Sequence, residues 1–428
     1  MKFNIKTKYK KFLLILISVT ILLLSSTSLA DDVEYYEESN NNDLNIKDNQ
    51  IIETYSNSKN QLNLNSRSCI VYDRISKQIL FRKNEYNKVK MASTTKIMTA
   101  IIVIENDDLN KTVEISKKAA NTGGSRLGLK TGDKITIHDL LYGLMLCSGN
   151  DAAVALAECT AGSITDFSEL MNNKALELGL TNSHFESPHG LDSDGHYTTA
   201  YELAKLADYA LNNKTFLQIV GTKNYTATIN GNPKNLSNTN ELLGNLNGVY
   251  GIKTGFTNGA NRCLVTACKR NDMDIICVVL GADTKKFRTK DSISLIEYTF
   301  NTFEHINIEE LINKEFENWK NKNLDNFFIN KGITSNLEIQ TSKLEYPIIA
   351  IKKEDLNNIN FSISANKTLD APVSEGNIIG NVNVTSNSTS IANTNIIVNN
   401  HIKKKNIPRY LYDFIKNYNN IIYNLSNI

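Results

Sequence analysis

The sequence lacks a dominant charge: its formal net charge is +2 with 21% charged residues. No basic run inside its central region offers a phosphate track, so nucleic acid is not an expected partner. It also lacks a plain membrane span, since the apolar run FLLILISVTILLL, residues 12–24, falls short of the roughly 20 residues a crossing helix needs. Its six cysteines, Cys69, Cys147, Cys159, Cys263, Cys268 and Cys277, show no CxxC spacing and no cysteine-dense frame. Buried free thiols are therefore expected rather than a disulfide scaffold. Cys147 stands apart because it abuts a candidate site residue. No metal or other cofactor is expected.

At 428 residues the chain is long enough for two or more domains plus tails. Lys2, Lys6, Lys8, Lys10 and Lys11 precede the apolar run, and Ser28, Leu29 and Ala30 then give a small-x-small pattern before Asp31. Residues 1–30 read as a cleaved secretory signal, the alternative being an uncleaved anchor. Residues 31–67 are polar, Asn-rich and aperiodic, which predicts a disordered linker. From Ser68 the runs CIVYDR and KQILFRK suggest a hairpin, and MASTTKIMTAIIVIEN suggests a helix buried on all sides. HDLLYGLML and DAAVALAECTAG read as two core helices around the polar turn Ser148-Gly149-Asn150. A further helix is expected at YELAKLADYALN, then strands at YTATIN, GVYGIKTGFT, RCLVTACKR and MDIICVVLGA, and a closing helix at SISLIEYTFNTF. Strands at both ends with helices between imply one sheet assembled from distant segments, with an inserted helical lobe, over residues 68–303. Residues 304–400 read as a small all-β domain.

The segment 401–428 has apolar residues at Tyr410, Leu411, Phe414, Ile415, Tyr418, Ile421, Ile422, Leu425 and Ile428, with Lys416, Asn417, Asn420 and Asn424 opposite. The period is that of an amphipathic helix. Its stripe suits either a docked C-terminal helix or, given Lys403, Lys404, Lys405 and Arg409 just upstream, a helix lying in a membrane surface.

Chemistry is suggested by Ser93 and Lys96, three apart at a helix start, where hydroxyl and amine share a face. Unpaired N–H groups there can support a developing oxyanion, although a plain N-cap also fits Ser93. A serine hydroxyl needs a base, and a buried lysine near a second cation can serve. Two Lys-Thr-Gly triplets offer that cation, Lys130 in GLKTGDK and Lys253 in GIKTGFT. Lys130 precedes a Gly-Asp turn, whereas Lys253 lies in a strand whose Thr254 and Gly255 would let an extended peptide lie against the backbone. The second copy is the one expected in the site.

In that order SxxK at 93, SxN at 148 and KTG at 253 resemble the penicillin-binding and serine β-lactamase superfamily. The text around them, including MNNKALELGLTNSHFESPHGLDSDGHYTTAYELAKLA and GIKTGFTNGANRCLVTACKR, resembles the low-molecular-mass penicillin-binding proteins that act as D-alanyl-D-alanine carboxypeptidases. The resemblance implies an α/β (α+β) transpeptidase-like domain, an antiparallel sheet with helices on both faces plus a helical lobe, then a small all-β domain and a terminal amphipathic helix. It implies that Ser93 is acylated, that Lys96 takes its proton, that Ser148 relays a proton to the leaving amine and that Asn150 holds the substrate amide and the lysine. Lys253 and Thr254 would receive the terminal carboxylate, with Arg288 assisting, and Gly255 and Phe256 would complete the strand side of the site. The oxyanion would lie between the N–H groups of Ser93 and Phe256. Implied partners are peptidoglycan stem peptides ending in D-Ala-D-Ala, β-lactam antibiotics and, through the C-terminal helix, a membrane surface outside the cytoplasm. Asn261 departs from the glycine usual at its place.

Three rival readings stand beside this one. A β-lactamase of class A would add an ExxLN loop, and the stretch Glu169, Leu170, Met171, Asn172 is one residue short of it. A metallopeptidase could use His189, Asp192 and His196, without a third ligand cluster to match. A catalytically silent wall-binding protein would lack one motif, and none is missing.

Overall fold

An apolar hairpin comes early in the computed structural model, which describes residues 62–426. The signal segment and the linker up to residue 61 lie outside the described residues. One unit comprises residues up to Arg74 with Ile79–Asn301; the other comprises Ile75–Gln78 with Thr302 onward.

In the first unit the elements run β1 (Ser68–Asp73), β2 (Ile79–Lys83), a 3-10 turn (Ala92–Thr95) leading into α1 (Lys96–Asn106), β3 (Thr112–Glu114), α2 (Lys117–Ala120) and β4 (Lys134–Thr136). They continue with α3 (Ile137–Met145), α4 (Asn150–Ala161), α5 (Ile164–Glu177), α6 (Ala200–Leu211), α7 (Lys214–Val220), β5 (Asn224–Ile229) and β6 (Asn232–Ser237). The unit closes with β7 (Val249–Thr257), β8 (Asn261–Arg270), β9 (Met273–Ala282) and α8 (Lys285–Thr302). The main sheet has the order β2-β1-β9-β8-β7 and is antiparallel throughout. Its middle strand, MDIICVVLGA, is buried along its whole length, as the apolar run from Ile275 requires, and Asp274 before that run is paired with Arg74 and Tyr250. Helix α6 lies on β1 and β9, and α8 meets the sheet through the Phe81–Tyr298 ring pair and an Arg270–Glu297 ion pair.

Every residue of α1 from Lys96 to Val103 is buried because the helix is surrounded by α3, α4, α5 and α6. That explains its apolar character on all sides. Side-chain oxygens of Thr136, Ser163 and Thr199 accept the amides of Asp139, Asp166 and Glu202 and start α3, α5 and α6.

Two boundaries differ from the sequence expectation. The linker predicted to run to Arg67 ends earlier. Ser66 donates its amide to Asp291 at 2.7 Å, and Lys83 donates to the carbonyls of Leu64 and Ser66 at 2.9 and 2.6 Å. Helix α8 starts at Lys285 instead of Ser292; Thr284 caps it by accepting the Phe287 amide, and its charged first turns hide it from an apolar pattern.

The second unit holds β10 (Phe303–Asn307), α9 (Ile308–Asn323), β11 (Phe328–Asn330), β12 (Ile339–Thr341), β13 (Ile348–Lys352), β14 (Ile359–Ala365), β15 (Thr368–Asp370), β16 (Ile378–Ser386), β17 (Thr389–Val398) and α10 (Ile407–Ser426). A four-stranded sheet, β12-β17-β16-β14, accompanies two pairs, β10-β13 and β11-β15. Val382, Val384, Ile396 and Val398 from this sheet share a core with Ile308, Ile312 and Phe316 of α9. The pattern reading did not separate α9 from the strands: only a few of its residues turn inward, and the rest of IEELINKEFENWKNKN is polar.

Candidate active site

Ser93 lies in the 3-10 turn, where Ala92 takes a left-handed φ of 49°. Thr94 and Thr95 brace the turn by donating hydroxyl hydrogens to the carbonyls of Met91 (2.6 Å) and Ala92 (2.8 Å). One turn on, Lys96 is wholly buried. Its Nζ stands 2.6 Å from Ser93 Oγ, 2.7 Å from Asn150 Oδ1 and 2.9 Å from the His189 carbonyl. An amide oxygen and a carbonyl only accept, so they take two N–H hydrogens. Beyond those two hydrogens, an uncharged amine keeps one lone pair, available to the Ser93 hydroxyl.

Asn150 opens α4 and is fixed twice more, its Nδ2 donating to the Gly123 carbonyl at 2.9 Å and its backbone amide to the Ser125 carbonyl at 2.7 Å. Asp151 follows it, fully buried, and its carboxylate accepts the amides of Leu127, Gly128, Leu129 and Ala152 at 2.8–2.9 Å. This anchors the loop after Ser125 against the start of α4. In the sequence the only mark of Asp151 is its place directly after the SxN motif. Ser148 has a φ of 60° and faces the cavity described below.

The twin triplets part company here. Lys130 is exposed on the turn before β4, its amide held by Asp133. Lys253 is 1% exposed on β7, with its Nζ donating to the Thr254 carbonyl at 2.9 Å. Gly255 brings that strand against the serine turn: a Cβ there would lie 3.2 Å from Ala92 Cβ, the Met91 carbonyl oxygen and the Ser93 amide nitrogen. A side chain there would need these neighbours to give by a few tenths of an ångström, so glycine suits the close approach of β7 to Ser93. Phe256 stacks under the Arg262 guanidinium at 3.7 Å.

The segment proposed by the metallopeptidase reading is occupied by structural hydrogen bonds. His196 Nδ1 accepts the Glu186 amide at 3.0 Å and its Nε2 lies 2.7 Å from Thr95 Oγ1. Asp192 accepts from Thr257 Oγ1 at 2.7 Å and from the Gly259 amide at 2.6 Å, tying this loop to the turn after β7. Burial, followed by the nearby charges of Lys96 and His196, pushes His189 down to about 3. His196 falls to about 4, mainly through burial, with Glu186 and Asp192 opposing and His184 and Lys96 adding to the shift. Both rings are neutral at physiological pH. Among the described residues no cluster of three His, Cys, Asp or Glu side chains is arranged to hold a metal. Glu169 is exposed on α5, and Asn172 is spent on both backbone groups of Phe185.

A cavity of about 230 Å³ gathers Ser93, Ser125, Ser148, Thr239, Thr254, Phe256 and Arg288 at its wall. Thr239 and Thr254 share a hydroxyl contact of 2.7 Å. Arg288 Nη2 is bound by both oxygens of Glu241, at 2.6 and 2.7 Å, and Thr289 bonds the same carboxylate. Burial would raise the Glu241 pKa, but Arg288 and these hydrogen bonds outweigh it and hold the carboxyl below its ordinary value. Cys147 also lines the cavity as a free thiol pushed up to about 11 by burial and by Asp151. Like the other five cysteines it has no disulfide partner.

A hydroxyl in hydrogen-bond contact with a buried amine, at the wall of a small cavity whose opposite strand β7 carries a second buried lysine, is the arrangement of serine acyl-transfer hydrolases. Residues 55–284 match the family model described as D-alanyl-D-alanine carboxypeptidase, and residues 320–404 match that of the penicillin-binding protein 5 C-terminal domain. The D-alanyl-D-alanine carboxypeptidase DacF of Bacillus subtilis is 32% identical over 81% of this chain and 88% of its own. DacC of Escherichia coli is 32% identical over 82% of this chain and 88% of its own. Among solved structures, penicillin-binding protein 5 from Haemophilus influenzae has a TM-score of 0.66 at 26% identity, covering 81% of this chain and all of that one. The chain belongs to the D-alanyl-D-alanine carboxypeptidase family of serine peptidases, the low-molecular-mass penicillin-binding proteins.

Proposed function

We propose that this chain removes the terminal D-alanine from peptidoglycan stem pentapeptides through an acyl-enzyme on Ser93. The observation that carries this reading is the triple contact of Lys96 Nζ, at 2.6 Å from Ser93 Oγ and 2.7 Å from Asn150 Oδ1, with the His189 carbonyl at 2.9 Å. The Ser93 hydroxyl gives its proton to the Lys96 lone pair as Oγ attacks the carbonyl carbon of the penultimate D-alanine. The oxyanion is received by the N–H groups of Ser93 and Phe256, each contributing on the order of 10²-fold to 10³-fold in rate. The C–N bond breaks, the leaving amine takes a proton relayed by Ser148, and D-alanine departs. Water then attacks the acyl carbon, and Oγ recovers its proton. Lys253 and Thr254 hold the terminal carboxylate, assisted by Arg288; Asn150 holds the substrate amide. A β-lactam acylates Ser93 in the same way and, without a positioned deacylating carboxylate, leaves slowly.

We also infer that the chain is exported and rests on the outer face of the cytoplasmic membrane through α10. Support comes from the apolar residues of that helix, among which Phe414 is 70% exposed and Leu411 58%. No helix among the described residues is long and apolar enough to cross a membrane.

Mass spectrometry of the intact protein after benzylpenicillin treatment, with peptide mapping, is expected to show one adduct on Ser93 that Ser93→Ala abolishes. An adduct elsewhere, or nitrocefin hydrolysis outpacing D-alanine release from a diacetyl-Lys-D-Ala-D-Ala peptide, would overturn the reading in favour of another hydrolase of the superfamily.

A further inference from the structure

The turn that carries Ser93 adopts a conformation its own residues disfavour, because Ala92 has a side chain and a φ of 49°. Its carbonyl is held by the Thr95 hydroxyl at 2.8 Å. That hydroxyl has one hydrogen; once it is given to Ala92, Thr95 Oγ1 is left to accept from His196 Nε2 at 2.7 Å. The imidazole agrees: its Nδ1 accepts the Glu186 amide at 3.0 Å, which leaves the ring hydrogen on Nε2. The Glu186 amide, the His196 ring, the Thr95 hydroxyl and the Ala92 carbonyl therefore form one chain in which each donor is used once. The ring is buried edge-on to Phe185, with centroids 5.8 Å apart, and Gly190 leaves the Ala92 carbonyl room, since a Cβ at 190 would lie 2.0 Å from its oxygen.

We propose that His196 is a positioning residue for the nucleophile, acting through Thr95 to set the turn that aims Ser93 Oγ and the Ser93 amide. This rests on the reading of Ser93 as the acylated residue. Its action needs a hydrogen on Nε2 and not merely a ring of the right size. Without it the Thr95 hydroxyl is free to rotate off Ala92, and the turn loses the bond that holds it.

The test compares His196→Phe, His196→Gln, His196→Asn, Thr95→Val and the Phe/Val double variant in the full mature chain. Acylation by a fluorescent penicillin, kcat and KM for D-alanine release, and thermal midpoints are measured together. A glutamine amide nitrogen reaches where Nε2 stood, whereas asparagine reaches only the Nδ1 position. His196→Phe and Thr95→Val are each expected to slow acylation by about tenfold to 100-fold, the cost of displacing a reacting atom by about 1 Å. The double variant is expected to be no slower than the worse single one. Glutamine recovers most of the rate and asparagine does not, with kcat falling more than KM. Wild-type acylation in His196→Phe and Thr95→Val, or Gln and Asn variants equally impaired in step with their thermal midpoints, would overturn the inference. Should His196→Phe fail to fold, Thr95→Val and the Gln/Asn comparison decide. A Ser93→Ala control that still forms the adduct sinks the catalytic reading itself, whereas normal acylation in the His196 and Thr95 variants with that control silent sinks only this inference.

Discussion

At the residue scale, buried polar groups around this cavity are set by the partners they already have. Asp151 shows this most clearly: a wholly buried carboxylate that accepts four backbone amides, with the Arg126 guanidinium 3.8 Å away, is a structural anchor, because its hydrogen-bond donors are backbone groups the fold itself supplies. Glu241 is different, since its partner Arg288 lines the cavity. Its carboxyl is held below its ordinary value of 4.5, so the stabilisation it gives is fully present above that value and is lost as pH falls through the depressed folded value. Glu241→Gln is therefore expected to flatten the acid limb of a plot of thermal midpoint against pH while leaving the plateau near neutrality lower. An unchanged acid limb would show that this pair does not govern it.

At the element scale, the site depends on turns more than on the helices and strands they join. Gly255 lets β7 close on the serine turn, and the turn after β7 is fastened by Asp192. Asn261, which stands where the family usually has glycine, takes a φ of 58° at the start of β8. Asparagine tolerates that left-handed region better than other residues with a side chain, so the departure leaves the turn intact. Asn261→Ala is expected to cost about 1 to 2 kcal/mol in urea denaturation, and Asn261→Gly to be close to neutral. Equal losses in both would point to the asparagine side chain instead of the backbone.

At the scale of the whole molecule, the cavity lined by Ser93 belongs entirely to the first unit, whereas the exposed apolar stripe of α10 belongs to the second. Helix α10 leaves Tyr410, Leu411, Phe414, Ile415, Tyr418, Ile421 and Ile422 exposed. Lys405 and Arg409 are partly neutralised by Asp413, at 2.8 and 3.4 Å, so Lys403 and Lys404 carry most of the upstream positive charge. Each large side chain moved into lipid contributes roughly 1.5 to 3 kcal/mol at most. In vesicle flotation the full mature chain is expected to bind anionic vesicles, and Phe414→Asp with Ile421→Asp to abolish binding without altering penicillin acylation. Retained flotation in that variant would remove α10 as the contact.

Much of the element order was determined by sequence alone, because apolar period and unbroken apolar runs report how much of each segment is buried. α1, α3, α4, β8 and β9 are legible for that reason, while α9 and the first turns of α8 are not, since few of their residues face a core. Ser93 and Lys96 are neighbours by helical spacing, which any sequence shows. Strand context in the sequence separates Lys253 from Lys130, but the burial of Lys253 is a tertiary fact. Only the folded chain brings His196 to Thr95 and Asp192 to Thr257, or makes Asp151 an anchor, because those partners are far apart in sequence or are backbone amides that no residue pattern encodes.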